Sequence, residues 1–290
     1  MAVAVGIAAA MSTAGCSTGS PAVPSAAPSA SATHAPHPIT YAPQVVLPFG
    51  ELINHPAGVA VDAAGNVFVL DSHYGQVWEM PAGTSNPKPL PFTGLGQAVD
   101  AAADAAGNLY ITDDDKNRVL KLTPGTTNPT VLPFTDLNMI AGIAVDNAGN
   151  VYVSDSGSKR VLRLTPGSAS PVALPFNDIG PEGVAVDNGG GVYVVDSGGK
   201  RVLKLAPGAT TPTVLPFGDL KMPTDVAVDV GGNVYAIDLD RVLRLDRGAS
   251  GPTTLPFNDL KDPSSVAVDT RGNVYLNDGL HFRILELPAR

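Results

Sequence analysis

Three histidines, His55, His73 and His281, are the candidate metal ligands of this chain, and a zinc site needs three or four convergent nitrogen, oxygen or sulfur donors. The other two of its five histidines, His34 and His37, lie in a Ser-, Ala- and Pro-rich stretch. A lone cysteine, Cys16, excludes an intrachain disulfide and a two-cysteine zinc site. Zinc-protease and phosphate-binding signatures are missing too: there is no His-Glu-x-x-His pair and no Walker loop. With 18 basic and 27 acidic residues the net charge is -9, which repels polyanions and excludes nucleic acid as a partner. Whether the histidines converge depends on the elements that carry them.

Those elements repeat. Leu-Pro-Phe begins at Leu47, Leu90, Leu132, Leu174, Leu215 and Leu255, and an Asp closing a small apolar run recurs at Asp62, Asp104, Asp146, Asp187, Asp229 and Asp269. The spacing, 40 to 43 residues, admits helical repeats as well as propeller blades, so the content of the unit decides. In the third unit Ile143-Ala144-Val145, Val151 to Asp155, Arg160 to Leu164 and Pro171 to Phe176 are β-type runs separated by Gly, Asn, Asp and Pro turn signals. Four short antiparallel strands make one blade, and six units predict an all-β, six-bladed β-propeller over residues 39–290.

Ala60, Ala102, Ala144, Ala185, Ala227 and Ala267 share one place in the first strand of each unit, where strands crowd around a central axis. The turn that follows, such as Asp62-Ala63-Ala64-Gly65-Asn66, places an Asp to accept backbone N–H bonds and a Gly where φ is positive. Each turn has about one acid, too few for a calcium loop. Asp155 with Arg160, Asp196 with Arg201, Asp238 with Arg241 and Asp278 with Arg283 are expected to pair across hairpins, each pair partly exposed and worth about 0 to 1 kcal/mol. The folded part starts with Gln44 to Phe49, which matches a fourth strand, and ends with Arg283 to Leu287, which matches a third. Pairing these two closes the ring and removes two open sheet edges.

Loops entering the first strands line the mouth of the central channel. Just before each strand stand Gly58, Asp100, Gly142, Gly183, Asp225 and Ser265, so six equivalent places carry unlike residues. Asp100, Glu182 and Asp225 predict an acidic, exposed mouth, with Lys221, Asp262 and His55 nearby. Asp113, Asp114 and Asp115 are assigned to an outer hairpin of the second blade. His55, His73 and His281 fall on the same face as the mouth, in loops that stand outward from the axis. They are expected to face solvent, without a metal or other cofactor.

The run Pro-x-Gly-Val-Ala-Val-Asp-x-x-Gly-Asn-Val-Tyr-Val-x-Asp, followed after four residues by Arg-Val-Leu-x-Leu, occurs at Pro181 to Leu205 with Gly191 in the Asn place. It resembles the NHL repeat, and the resemblance covers Val45 to Leu287. The Val-Leu-Pro-Phe between units is similar to the extracellular sensor domain of a mycobacterial receptor serine/threonine kinase. This implies a rigid propeller that reads an extracellular cue. No Gly-rich loop, Val-Ala-Ile-Lys, His-Arg-Asp or Asp-Phe-Gly of a kinase domain is present. Propellers of this general kind also include gluconolactonases with a carboxylate-bound metal, streptogramin lyases with a catalytic His, and a lyase with histidine-bound zinc.

Ahead of the repeats, Ala2 to Met11 is a short apolar run, and Ser12-Thr13-Ala14-Gly15-Cys16 resembles the lipobox of bacterial lipoproteins. The run is shorter than the ~20 residues of a membrane-spanning helix. Residues 1–16 therefore read as an export signal ending in a lipidated cysteine, and 17–38 as a disordered tether that cannot offset its conformational entropy by burial. The expected protein is an extracytoplasmic, membrane-anchored binding propeller for a protein or cell-wall fragment. A metal-dependent lyase or lactonase is the alternative, and a structural envelope scaffold is the third reading.

Overall fold

The computed structural model describes residues 39–290. The expectations for Cys16, for residues 1–16 and for the tether at 17–38 lie outside the described residues. Six four-stranded antiparallel sheets follow one another as blades, five running in chain order from an inner strand to a short outer one and the sixth taking its outer strand from the start of the chain. In the third blade these strands are Ile140–Val145, Val151–Asp155, Arg160–Leu164 and Val172–Ala173. The second strand is buried along its whole length in every blade, whereas the outer strand is exposed, which matches the near-continuous apolar runs of the former.

Blades adhere through the Leu-Pro-Phe marker. The N–H of Phe134 bonds the carbonyl of Leu132, a tight turn that drives the Phe ring back between two blades. There it packs with Leu137, Ile143, Val153 and Leu162 of its own neighbourhood and with Tyr110 and Val119 of the preceding blade. Phe49, Phe92, Phe176 and Phe217 are buried likewise.

On one face, the base, lie the turns after the inner strands. Asp229 Oδ1 accepts the N–H groups of Gly231 and Asn233, and its Oδ2 accepts Asn233 Nδ2 and the Tyr235 hydroxyl at 2.9 Å. The glycine of this turn, Gly232, has φ +82°, the left-handed region that only Gly enters freely. Blade one departs from the pattern because Phe68 stands where Tyr235 does and offers Asp62 no hydroxyl.

The first strand, Val45–Val46, pairs with the last, Arg283–Leu287, in the register Val45 to Glu286 and Val46 to Leu285. The ring thus closes as the sequence predicts. The seam continues at the base, where Tyr41 bridges Ala289 and the N–H of Arg290 bonds the carbonyl of Thr40 at 2.8 Å. Ile39 lies against the basal turn at Gly272. Both described ends of the chain are therefore on the base, and the mouth is on the opposite face.

Candidate functional site

Each mouth hairpin is built on a buried carboxylate. Asp155 is fully buried; its Oδ2 accepts Arg160 Nε at 2.7 Å, and its Oδ1 accepts the N–H of Asn138 in the loop entering the inner strand. Asp113, Asp196, Asp238 and Asp278 repeat this with Arg118, Arg201, Arg241 and Arg283. The expected hairpin pairs exist, but the exposure belongs to the arginines alone. Each Asp is a clamp that ties hairpin to entry loop. In blade one Gln76 replaces the arginine, and Asp71 keeps the loop bond to Asn54. Asp113 is thus part of the frame, which corrects the outer-hairpin assignment of Asp113 to Asp115. Asp114 turns to the mouth, where its Oδ1 accepts the N–H of Ile140.

The clamped loops surround a funnel of about 420 Å³ lined by Asp100, Asp114, Met139, Glu182, Asp225 and Ser265 among others, with no Lys or Arg on its wall. Below it a narrower channel of about 140 Å³ is walled by the six alanines and their neighbours. Asp100 and Asp225 belong to both spaces and form the neck between them. They lie in blades two and five, opposite one another in a ring of six.

These two aspartates are not exposed charges, and that corrects the expected acidic mouth. Asp100 Oδ1 accepts the N–H of Ala101 at 2.8 Å, and its Oδ2 accepts that of Ile143 in the next blade at 3.0 Å. Asp225 repeats the arrangement with Val226 and, in the next blade, Val266, both at 2.8 Å. Ser265 extends it to the closing interface by accepting the N–H of Val59 at 3.1 Å. Each side chain therefore staples two inner strands. The preceding blade leaves room: a Cβ on Gly183 would stand 2.1 Å from Asp225 Oδ1. Burial outweighs the N–H bonds and pushes Asp100 from 3.8 up to about 7. Asp225 is raised well above the usual carboxylate range by burial and by the charge of Asp100. Glu182 is half-buried, raised by desolvation and held partly in check by the Ser197 hydroxyl.

Lys221, Asp262 and His55 stand on the rim, outside the funnel wall. Lys221 gives its backbone N–H to Asp238, and Asp262 offers its carbonyl to Gly279. His55 and His73 are exposed, as expected, and lie side by side: their ring centroids are 5.8 Å apart, and His55 lies 5.3 Å from the ring of Phe282. His281 turns away to Asp278, with Nδ1 2.9 Å from Oδ2. Among the described residues no three His, Cys, Asp or Glu side chains are gathered to hold a metal ion. The sequence reading placed Asp114 away from the mouth and did not single out Thr112, whose hydroxyl accepts the N–H of Asp100. The signal for Thr112 was available, because a polar residue interrupts an otherwise apolar second strand.

Residues 137–164 and 179–205 match the family model of the NHL repeat. Blades three and four thus carry NHL repeats. No curated protein matches the chain in sequence. Among solved structures this NHL-bearing propeller is similar to virginiamycin B lyase from Staphylococcus aureus, at 13% identity and a TM-score of 0.62 over 86% of this chain and 99% of that one. It is also similar to a gluconolactonase from Xanthomonas campestris, at 15% identity and TM-score 0.71 over 85% and 89%. A chain of a nidogen/laminin complex matches at 22% identity and TM-score 0.66 over 73% and 84%. At these identities the likeness is one of fold alone.

Proposed function

We propose that this propeller is a binding or sensor protein of the cell envelope, held to the membrane through Cys16, that recognises a protein or cell-wall ligand at the funnel. The observation that carries the reading is the contrast between frame and mouth. Basal turns and hairpin clamps repeat from blade to blade, whereas the funnel wall carries the partly exposed carboxyls of Asp114 and Glu182 above the buried Asp100 and Asp225, without a basic side chain. Such a wall favours an amine-bearing or otherwise cationic ligand. The resemblance to a receptor-kinase sensor domain agrees with a role in reading an external cue.

The test is capture of amine-bearing envelope fragments by the full chain and by Glu182→Gln, which removes the half-exposed carboxylate and leaves the staples intact. Weaker capture at unchanged melting temperature is expected; equal capture would set the funnel aside. For the anchor, Cys16→Ala should move the protein from membrane to soluble fractions. A second reading, a lyase or lactonase, draws on the similarity in fold to virginiamycin B lyase and a gluconolactonase and on Asp100, a carboxyl poised near neutrality in a concave site. Lactone- or depsipeptide-opening activity lost in Asp100→Asn, or stoichiometric metal in the purified protein, would favour it.

A further inference from the structure

The mouth is divided into two unlike halves. Over blades two, three and four its hairpins end in Asn117, Lys159 and Lys200, which hold the place before the third strand with φ between +46° and +54°. Polar residues suit an exposed left-handed position, and Asn suits it best. Blade six puts Phe282 in that same place, at φ +50° and 41% exposed. The shortened hairpin of blade five puts Leu239 at φ +54°. A bulky apolar side chain there serves neither burial nor backbone preference, so folding does not account for it.

These residues are not isolated. Leu239 bonds the carbonyl of Met222 through its N–H, and Phe282 meets His55, which meets His73, which in turn packs edge-on against Tyr74 at 4.8 Å. Met222, Leu239, Leu280, Phe282 and Tyr74 are all exposed. Together they form an apolar and aromatic arc over blades five, six and one, beside a funnel whose wall offers the carboxyls of Asp114 and Glu182 and no base. An exposed arc of this kind, set with aromatic side chains next to a polar pocket, has the composition of a protein-binding centre.

We propose that the mouth docks a polypeptide segment in which a lysine or arginine enters the funnel while apolar side chains on either side of it lie on the arc. The proposal rests on the funnel being the binding site and adds the class of partner. Charge complementarity selects the cation, and the arc selects its neighbours. A free amine without apolar flanks would fill the funnel and leave the arc bare.

The test is an array of nonapeptides with Lys, Arg, Glu or Ser at the centre and either Leu, Tyr and Phe or Ser, Gly and Asn around it, incubated with the full chain in mild detergent. Central Lys or Arg with apolar flanks should bind at least about tenfold more tightly than the Glu, Ser or polar-flank versions. Tyr74→Ser and Phe282→Asn, the latter suited to the left-handed position, should remove the flank preference at unchanged melting temperature. Glu182→Gln should weaken the central-charge preference. Binding that ignores the flanks, or that survives both arc variants, overturns the proposal, as does an array on which nothing binds. A muropeptide with a free amine, titrated in parallel, separates the two levels. If it binds and Glu182→Gln weakens it while the arc variants do not, the docking proposal falls and the funnel reading stands; if Glu182→Gln alters neither ligand, both fall.

Discussion

Asp100 shows how one side chain can serve the frame and the site at once. Its two oxygens hold N–H groups of adjacent blades, yet burial raises it from 3.8 to about 7. The folded form keeps a proton that the unfolded chain releases at lower pH. Its contribution to stability is therefore full below the unfolded value, declines as pH rises through the window between, and is lost above about 7. Asp100→Asn removes this titration and also turns an amide donor toward one of the two N–H groups, a constant cost of about 1–3 kcal/mol. In thermal denaturation between pH 4.5 and 7.5, the wild-type protein should thus lose stability relative to the Asn variant as pH rises. A constant difference between the two curves would show that Asp100 does not titrate in this range. Asp225, raised by the same burial and by Asp100 itself, should behave alike.

At the scale of the strand and hairpin, the clamps make an asymmetric prediction. Asp155→Ala leaves the N–H of Asn138 and the guanidinium of Arg160 without their acceptor, and should cost about 2–3 kcal/mol. Arg160→Ala removes only the partly exposed partner and should cost about 1 kcal/mol or less. Urea denaturation of the two variants checks this, and equal losses would return the pair to an ordinary surface ion pair. These elements were legible in the sequence to the degree that they repeat. The period, the four runs per unit, the basal Asp and Gly, and the spare strand at Gln44 to Phe49 all follow from local residue chemistry. The site was less legible because it is made where the repeat fails. Asp100 and Asp225 read as surface acids in a loop, since only the crossing of inner strands from neighbouring blades brings the N–H groups of Ile143 and Val266 to their carboxylates. The left-handed placement of Phe282 and Leu239 is equally silent in sequence, because it depends on hairpin lengths that differ between blades.

For the molecule as a whole, the seam between first and last strands decides whether six blades form a ring or an open stack with two bare edges. Deleting residues 39–50 should lower the melting temperature far more than deleting 17–38, and equal melting temperatures would refute a closing role for Val45–Val46. The seam has one more consequence. Thr40 and Arg290 share a backbone hydrogen bond, so a linker of a few residues could join the two described ends without crossing the mouth. New ends opened between Thr210 and Thr211, in the exposed basal turn before the outer strand of blade four, would give blade six the covalent continuity that the other five already have. Blade four would then be the one fastened by a strand from the far end of the chain. Such a circular permutant should fold and keep the funnel unchanged, because nothing in the repeat reserves the fastening for any particular blade.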